Sequence, residues 1–387
     1  MDPGKFTRTD FGAVVKTPGP HGFYTFIPSP LPRRLGLAEL TVARLSDADR
    51  AIGRLAGAGR LLPNPHLLVN AYIRREAVAS SRIEGTQATL SDIFEAESSG
   101  RALSHDIQEV SNYVRAMEVG LQRVPSLPIS RRLLEEIHRV LLSGVRGQDR
   151  RPGEVRTSPN WIGSNSPATA VFVPPPHAEM QDGLSDWEKF VHEPTRLPPL
   201  VRCALLHYQF ETLHPFLDGN GRLGRLLIIF YLMSEELLPS PLLYVSTYFE
   251  DHKEEYYDRL QAVRERSEMD AWIQFFLGAV TTQANDAVWR AEQITDRRED
   301  FRRRLGSSRS RAPYVIDLLL ENPFITTAMV RNALGVTPQG ATNLLRQLEG
   351  VGIIEPAQRI SGRSLRWVSP EIYEILTNSN TRAPSLR

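Results

Sequence analysis

The chain has 387 residues, 41% apolar and 24% charged, an ordinary composition for a soluble globular protein of two or three domains. Its 46 Lys+Arg and 45 Asp+Glu leave a net charge of +1, which argues neither for nor against nucleic acid as a whole-chain partner; only residues 290–311, with eight Arg against four acids, are locally basic. The single cysteine, Cys203, excludes an intrachain disulfide and a cysteine-based metal site. No signal peptide is evident, and the longest apolar run, Leu226–Met233, is too short to span a bilayer, so a cytoplasmic location without membrane contact is expected.

Residues 1–35 are rich in Pro, Gly and isolated aromatics, and the alternation Pro28, Pro30, Pro32 forbids a helix there, so an irregular arm packed on the body is expected. Leu37, Leu40, Ala43, Leu45, Ala48, Ile52 and Leu55 recur at helical spacing and predict a helix over 37–58. After a break at Pro63-Asn64-Pro65, the pattern of Leu68, Ala71, Tyr72, Arg75 and Val78 predicts a second over about 66–82. Further helices are expected at 89–97, 104–122, 130–142, 178–192, 198–212, 222–237, 252–265 and 269–304. Segment 151–176, dense in Pro and Gly, reads as loops with a small hairpin around the β-type run Ala170–Val173.

Gly306–Ser310 reads as a flexible linker to an independent module. Two helices follow, Ala312–Glu321 and Thr326–Leu334, the second closed by Gly335. Thr337 then caps a third helix, with Pro338 at its first position, which runs to about Glu349. Ile353–Ile360 and Leu365–Val368 read as strands around Ser361-Gly362-Arg363. Three helices and a hairpin make a winged helix-turn-helix, so the expected fold class is mostly α with a small β flap, plus this unit.

The chemistry is concentrated in Leu213-His214-Pro215-Phe216-Leu217-Asp218-Gly219-Asn220-Gly221-Arg222-Leu223-Gly224-Arg225. Pro215 disfavours helical geometry at His214, so one helix ends there and the next opens near Gly221 or Arg222. A glycine turn opening a helix exposes unpaired N–H groups at the positive end of the helix dipole, an anion site suited to phosphate. Arg222 and Arg225 add charge for a polyphosphate, Asp218 supplies a hard oxygen for Mg²⁺, and His214 can take a proton from an attacking hydroxyl.

This string resembles the Fic-family signature His-Pro-Phe-x-Asp-Gly-Asn-Gly-Arg-x-x-Arg at all nine specified positions. The resemblance spans about 60–290 and implies a Fic-type helical bundle that transfers AMP from ATP to a Ser, Thr or Tyr hydroxyl of target proteins. It implies His214 as general base, Asp218 as the Mg²⁺ ligand, and Asp218, Gly219, Asn220, Gly221, Arg222, Leu223, Gly224 and Arg225 around the phosphates. Ser80-Ser81-Arg82-Ile83-Glu84-Gly85 resembles the family's inhibitory motif, in which Glu84 pairs with Arg225; the plain alternative is a helix end with a surface Glu. Arg156–Gly163 with Phe172-Val173-Pro174-Pro175 resembles the family's flap, which could pair with a target segment through its main chain. Val173, Pro174 and the pair Tyr256-Tyr257 complete the implied nucleotide-binding set. Arg264 stands where some relatives place an Asn, which puts the fine adenine contacts in doubt. Relatives also suggest a homodimer, and self-modification is open.

The domains expected are an N-terminal arm and helical region (1–62), a catalytic domain (63–305) with the inhibitory helix near 66–85, the winged unit (311–370) and a tail (371–387). The winged unit is read as binding DNA or a protein partner, with Gln339, Thr342, Asn343 and Arg346 on the accessible side of its third helix and Arg359, Arg363 and Arg366 on or near the wing. His66, His105, His138, His177, His192, His207 and His252 show no metal-ligand spacing. Two rival functions stay open: removal of AMP or another phosphate-group transfer by the same site, and a DNA-binding regulator with a Fic sensor domain.

Overall fold

The computed structural model describes residues 1–19, 22–61, 65–99, 103–306, 310–357 and 366–378. In chain order it holds β1 (Gly12–Lys16), β2 (Tyr24–Pro28), α1 (Glu39–Leu61), α2 (Pro65–Ile83), α3 (Leu90–Ser99), α4 (His105–Arg123), α5 (Arg131–Leu141), α6 (His177–His192), α7 (Pro199–Leu213) and α8 (Asn220–Ser234). Then come α9 (Ser246–Asp251), α10 (Lys253–Arg266), α11 (Met269–Leu305), α12 (Ala312–Glu321), β3 (Phe324–Thr326), α13 (Thr327–Leu334), α14 (Pro338–Gly350), β4 (Glu355–Pro356), β5 (Arg366–Val368) and α15 (Pro370–Thr377). None of the described helices is long and apolar enough to cross a membrane.

The helix at the centre is α7, buried at every position from Leu200 to Leu213, and it packs on α8, buried from Arg222 to Leu232. A helix covered on all sides has no solvent face to supply an amphipathic period, and its position is fixed by packing. The long α11 runs against α1, α7 and α10 and continues into the winged unit. Polar caps set the boundaries: the side chains of Ser104, Ser130 and Thr337 accept backbone N–H groups at the starts of α4, α5 and α14.

The N-terminal arm is more regular than its prolines suggest. Strands β1 and β2 pair antiparallel from Gly12↔Pro28 to Lys16↔Tyr24, so the expectation of an irregular arm over 1–35 is corrected. Pro28 ends the pairing rather than interrupting it, which is where a missing N–H is tolerated. Phe26 carries the arm into a small separate core with Ala170, Phe172 and Val173, and Phe6, Val14 and Trp161 cover it. The expected hairpin around Ala170–Val173 is reduced to one bridge, Ile162↔Phe172.

The winged unit has the expected helices plus β3, giving a sheet in the order β3-β5-β4. Three further features correct the sequence reading. Part of the expected tail is α15, which packs on α11 and α2. Arg366 faces inward, 3.0 Å from Glu95 of α3 and over the Phe324 ring, so it is not free on the wing. The unit also shares one continuous core with the helical body. Asn322 donates to the Phe94 carbonyl, and Arg290 of α11 donates to the carbonyls of Ile375 and Asn378. The basic excess of 290–311 is largely spent on such pairs, among them Arg298 with Asp317 and Arg304 with Glu371. Pro63-Asn64, Arg359, Ser361-Gly362-Arg363, most of the linker and the end of the tail lie outside the described residues.

Candidate active site

The site is built around the turn from α7 to α8. His214 caps α7 in the left-handed region, φ +47° and ψ +59°, while its own N–H still closes on the Phe210 carbonyl. Pro215 disfavours the right-handed geometry that would continue α7, and the turn takes the left-handed one instead. Arg156, nearly fully buried, holds the corner: its Nε donates to the His214 carbonyl at 2.9 Å and its Nη2 to the carbonyls of Pro175 at 2.6 Å and Leu213 at 3.2 Å. His214 Nδ1 is shielded and has no hydrogen-bond partner among the described residues. Burial, then the charges of Arg156 and Arg264, pull its pKa down to about 3, with Glu84 opposing. The imidazole is therefore neutral at physiological pH and can accept a proton.

Between Phe216 and Asn220 the turn is locked from inside. Asn220 Oδ1 accepts the Phe216 N–H at 2.9 Å, and its Nδ2 donates to the Phe216 carbonyl at 2.8 Å. The Asn220 side chain thus shapes the turn and does not point into the cradle. Gly219 has φ +76°, a conformation open to glycine at no steric cost, and no side chain caps the start of α8. The first N–H groups of α8 and its dipole consequently face the site. His138, placed among scattered histidines by sequence, braces this turn. Its Nδ1 accepts the Gly153 N–H at 2.8 Å, its Nε2–H donates to the Asp218 carbonyl at 2.9 Å, and its ring stacks on Phe216 at 3.9 Å. Only a spatial contact reveals that role, because the two partners lie 15 and 80 residues away.

Asp218 is 35% exposed, with Oδ1 accepting the Gly219 N–H at 2.6 Å and 3.6 Å from Arg222 Nη2. Among the described residues no three His, Cys, Asp or Glu gather into a metal cluster. Mg²⁺ that arrives on nucleotide phosphates needs only one or two protein carboxylates, so a single half-open Asp fits that ion. Arg222 is buried against Glu109, which also accepts from Thr86. Glu109 is a neighbour that sequence reading missed.

Arg225 is 1% exposed and is engaged by α2 and the residue that follows it. Its Nε donates to Ser80 Oγ, and its Nη2 donates to the Ser80 carbonyl and to Glu84 Oε1, each at 2.8 Å. Burial pushes the Glu84 carboxyl up, but Arg225 outweighs it and holds the pKa below the usual carboxylate range. The carboxylate also lies over the opening turn of α8: a Cβ at Gly221 would come within 2.3 Å of Glu84 Oε1. Glu84, 31% exposed, thus lies beside the first turn of α8.

Other expected residues are distributed differently. Tyr256 is in the core, stacked on Phe249 at 4.5 Å and bonded through its hydroxyl to His207 at 2.8 Å, while Tyr257 is 43% exposed. Val173 and Pro174 face the arm: Thr25 Oγ1 donates to both carbonyls, and the Phe26 N–H donates to Val173. That portion of the flap edge is already paired to β2. Leu223 is core, and Gly224 lies against Glu211 Oε1, whose carboxyl burial pushes up to about 7.

Comparison with known proteins agrees with this geometry. Residues 42–122 match the profile described as Fic/DOC family N-terminal, 128–232 the Fic/DOC family, and 312–355 an HTH DNA binding domain. Protein adenylyltransferase fic-1 of Caenorhabditis briggsae is 30% identical over 165 residues, and its Caenorhabditis elegans counterpart 28%. Each match covers 40% of this chain and 30% of the relative, so the chain spans under a third of these relatives. A crystal structure of a Fic family protein from Desulfovibrio desulfuricans G20 is 27% identical with a TM-score of 0.57, covering 87% of this chain and 97% of that one. Fic-1 from C. elegans, at 20% identity and a TM-score of 0.51, shares the fold. With the signature turn, the helical body around it and matches on both sides of residue 125, the chain carries a Fic/DOC domain with its N-terminal part over residues 42–232.

Proposed function

We propose that the chain transfers AMP from ATP to a Ser, Thr or Tyr hydroxyl of a protein, and that Glu84 restrains this activity in cis. One observation carries the reading: Ser80 and Glu84 together engage Nε and Nη2 of Arg225, and the Glu84 carboxylate sits beside Gly221 in the opening turn of α8. A carboxylate at that end competes with a phosphate for the same N–H groups and the same guanidinium.

In the unrestrained site the α8 N-terminus, Arg222 and Arg225 hold the phosphates of ATP. Asp218 would hold Mg²⁺, which neutralises polyphosphate charge when bound. The acceptor hydroxyl gives its proton to the neutral His214, its oxygen bonds to the α-phosphorus, and the bond from that phosphorus to the α–β bridging oxygen breaks. Pyrophosphate leaves. The adenylyltransferase names of the two worm relatives support AMP as the transferred group.

Incubation with α-labelled ATP and Mg²⁺ tests this. Glu84→Gly should label protein at least about tenfold more than the parent, and adding Arg225→Ala should return labelling to the level of Arg225→Ala alone. Reduced or unchanged labelling in the single variant overturns the restraint; absence of label in every variant overturns the transfer.

The winged unit supports a second role on the same chain, binding of duplex DNA. On α14, Gln339, Asn343 and Arg346 are exposed, and the matching profile is of DNA-binding type. Anisotropy titration of a labelled duplex at two salt concentrations checks it, with binding expected to weaken as salt rises.

A further inference from the structure

Arg264 is buried, 6% exposed, on α10. Its Nε donates to Thr212 Oγ1 at 3.1 Å, and its Nη1 donates to Gln261 Oε1 at 3.1 Å. Its Cζ lies 3.9 Å over the centre of the Phe172 ring and 6.0 Å from that of Tyr208. Gln261 in turn donates to the Val171 carbonyl. The guanidinium makes no salt bridge among the described residues. Burying a guanidinium without a paired carboxylate is expensive, and an apolar side chain would fill the same space at less cost. A purely space-filling role therefore does not account for an arginine.

The partners of Arg264 share one property. Thr212 is in the last turn of α7, two residues before His214. Phe172 carries the bridge to Ile162, and Val171 is its neighbour in the flap. One rigid, planar group therefore touches both the helix end that carries His214 and the Phe172 segment of the flap. We propose that Arg264 is a positioning residue of the transfer site, locking the Phe172 segment of the flap to the end of α7 so that a hydroxyl presented along the flap meets His214. The inference rests on the AMP-transfer reading for its kinetic consequence and on contacts alone for its structural one. It separates presentation of the acceptor from nucleotide binding, which belongs to the α8 end of the site.

The test uses the full chain. In the Glu84→Gly background, Arg264→Met should lower kcat for labelling by about tenfold or more, since misplacement of reacting groups by an ångström is sufficient for that. ATP affinity measured by calorimetry should stay within about twofold. Arg264→Lys, which keeps a donor for Thr212 and a cation over Phe172, should recover part of the loss. Phe172→Leu should reproduce the loss from the flap side if Arg264→Met does not fold. In the chain with Glu84 intact, hydrogen exchange over 160–173 should speed up in Arg264→Met. Unchanged kcat in a folded variant, or ATP affinity falling in step with the rate, overturns the proposal; so does unchanged flap exchange. If Glu84→Gly transfers no AMP, the function reading fails by itself, and flap exchange decides Arg264 separately.

Discussion

His214 is held in a backbone conformation that costs a non-glycine residue roughly 1–3 kcal/mol. Pro215 removes the helical alternative, and Arg156 binds the carbonyl that the turn leaves free. The strain is thus fixed by neighbours on both sides. His214→Ala in the Glu84→Gly background should lower AMP transfer by about 10²–10⁴-fold while ATP binding persists, read by labelling beside calorimetry. Arg156, Arg264 and Glu84 are the charges facing the imidazole, and with burial the net effect is a pKa near 3, well below the ordinary 6.5. The base stays neutral above that value and is lost only as pH falls through it. The pH–rate profile of the Glu84→Gly chain should therefore show no inflection near 6.5; an inflection there identifies a solvent-exposed imidazole instead. Asp218→Ala should weaken nucleotide binding with Mg²⁺ more than without it, which titration calorimetry resolves.

At the scale of elements, the turn between α7 and α8 is a scaffold before it is a site. Asn220 staples it from within and His138 from behind, so the N–H groups of α8 stay aimed outward. His138→Phe preserves the stack on Phe216 but strands the Gly153 N–H and the Asp218 carbonyl. Each loss costs about 1–3 kcal/mol, so thermal denaturation should show a clearly lowered midpoint. The last turn of α2 presents Ser80, and the residue just past its end presents Glu84, to the same guanidinium from outside. The motif was legible in sequence through its resemblance to the family's inhibitory string. The β1–β2 pair was not, because five-residue strands with irregular burial give no clean alternation.

For the whole molecule, α11 joins the helical body to the winged unit without a seam in the core. Asp286 of α11 binds both Arg75 of α2 and Arg290, and Arg290 reaches the end of α15. The linker reading of Gly306–Ser310 expected the winged unit to be an independent module. The shared core predicts otherwise: a chain without residues 306–387 should melt roughly 4 °C or more below the full one, as a few kcal/mol would require. Matching midpoints by calorimetric scan would restore the independent module.

Sequence by itself determined the mostly helical class, the helix-turn-helix of the winged unit and the helix-turn-helix boundary over residues 214–222, since caps, prolines, glycines and periodic apolar residues act within a few positions of themselves. It also paired Glu84 with Arg225 through family likeness, and the structure puts them 2.8 Å apart. Only tertiary structure decided that Tyr256 packs in the core and Val173 against β2, that His138 and Arg156 brace the turn at His214, and that Arg264 touches both Thr212 and Phe172. Those contacts connect residues far apart in the chain, and their strength comes from burial and geometry that local sequence cannot specify.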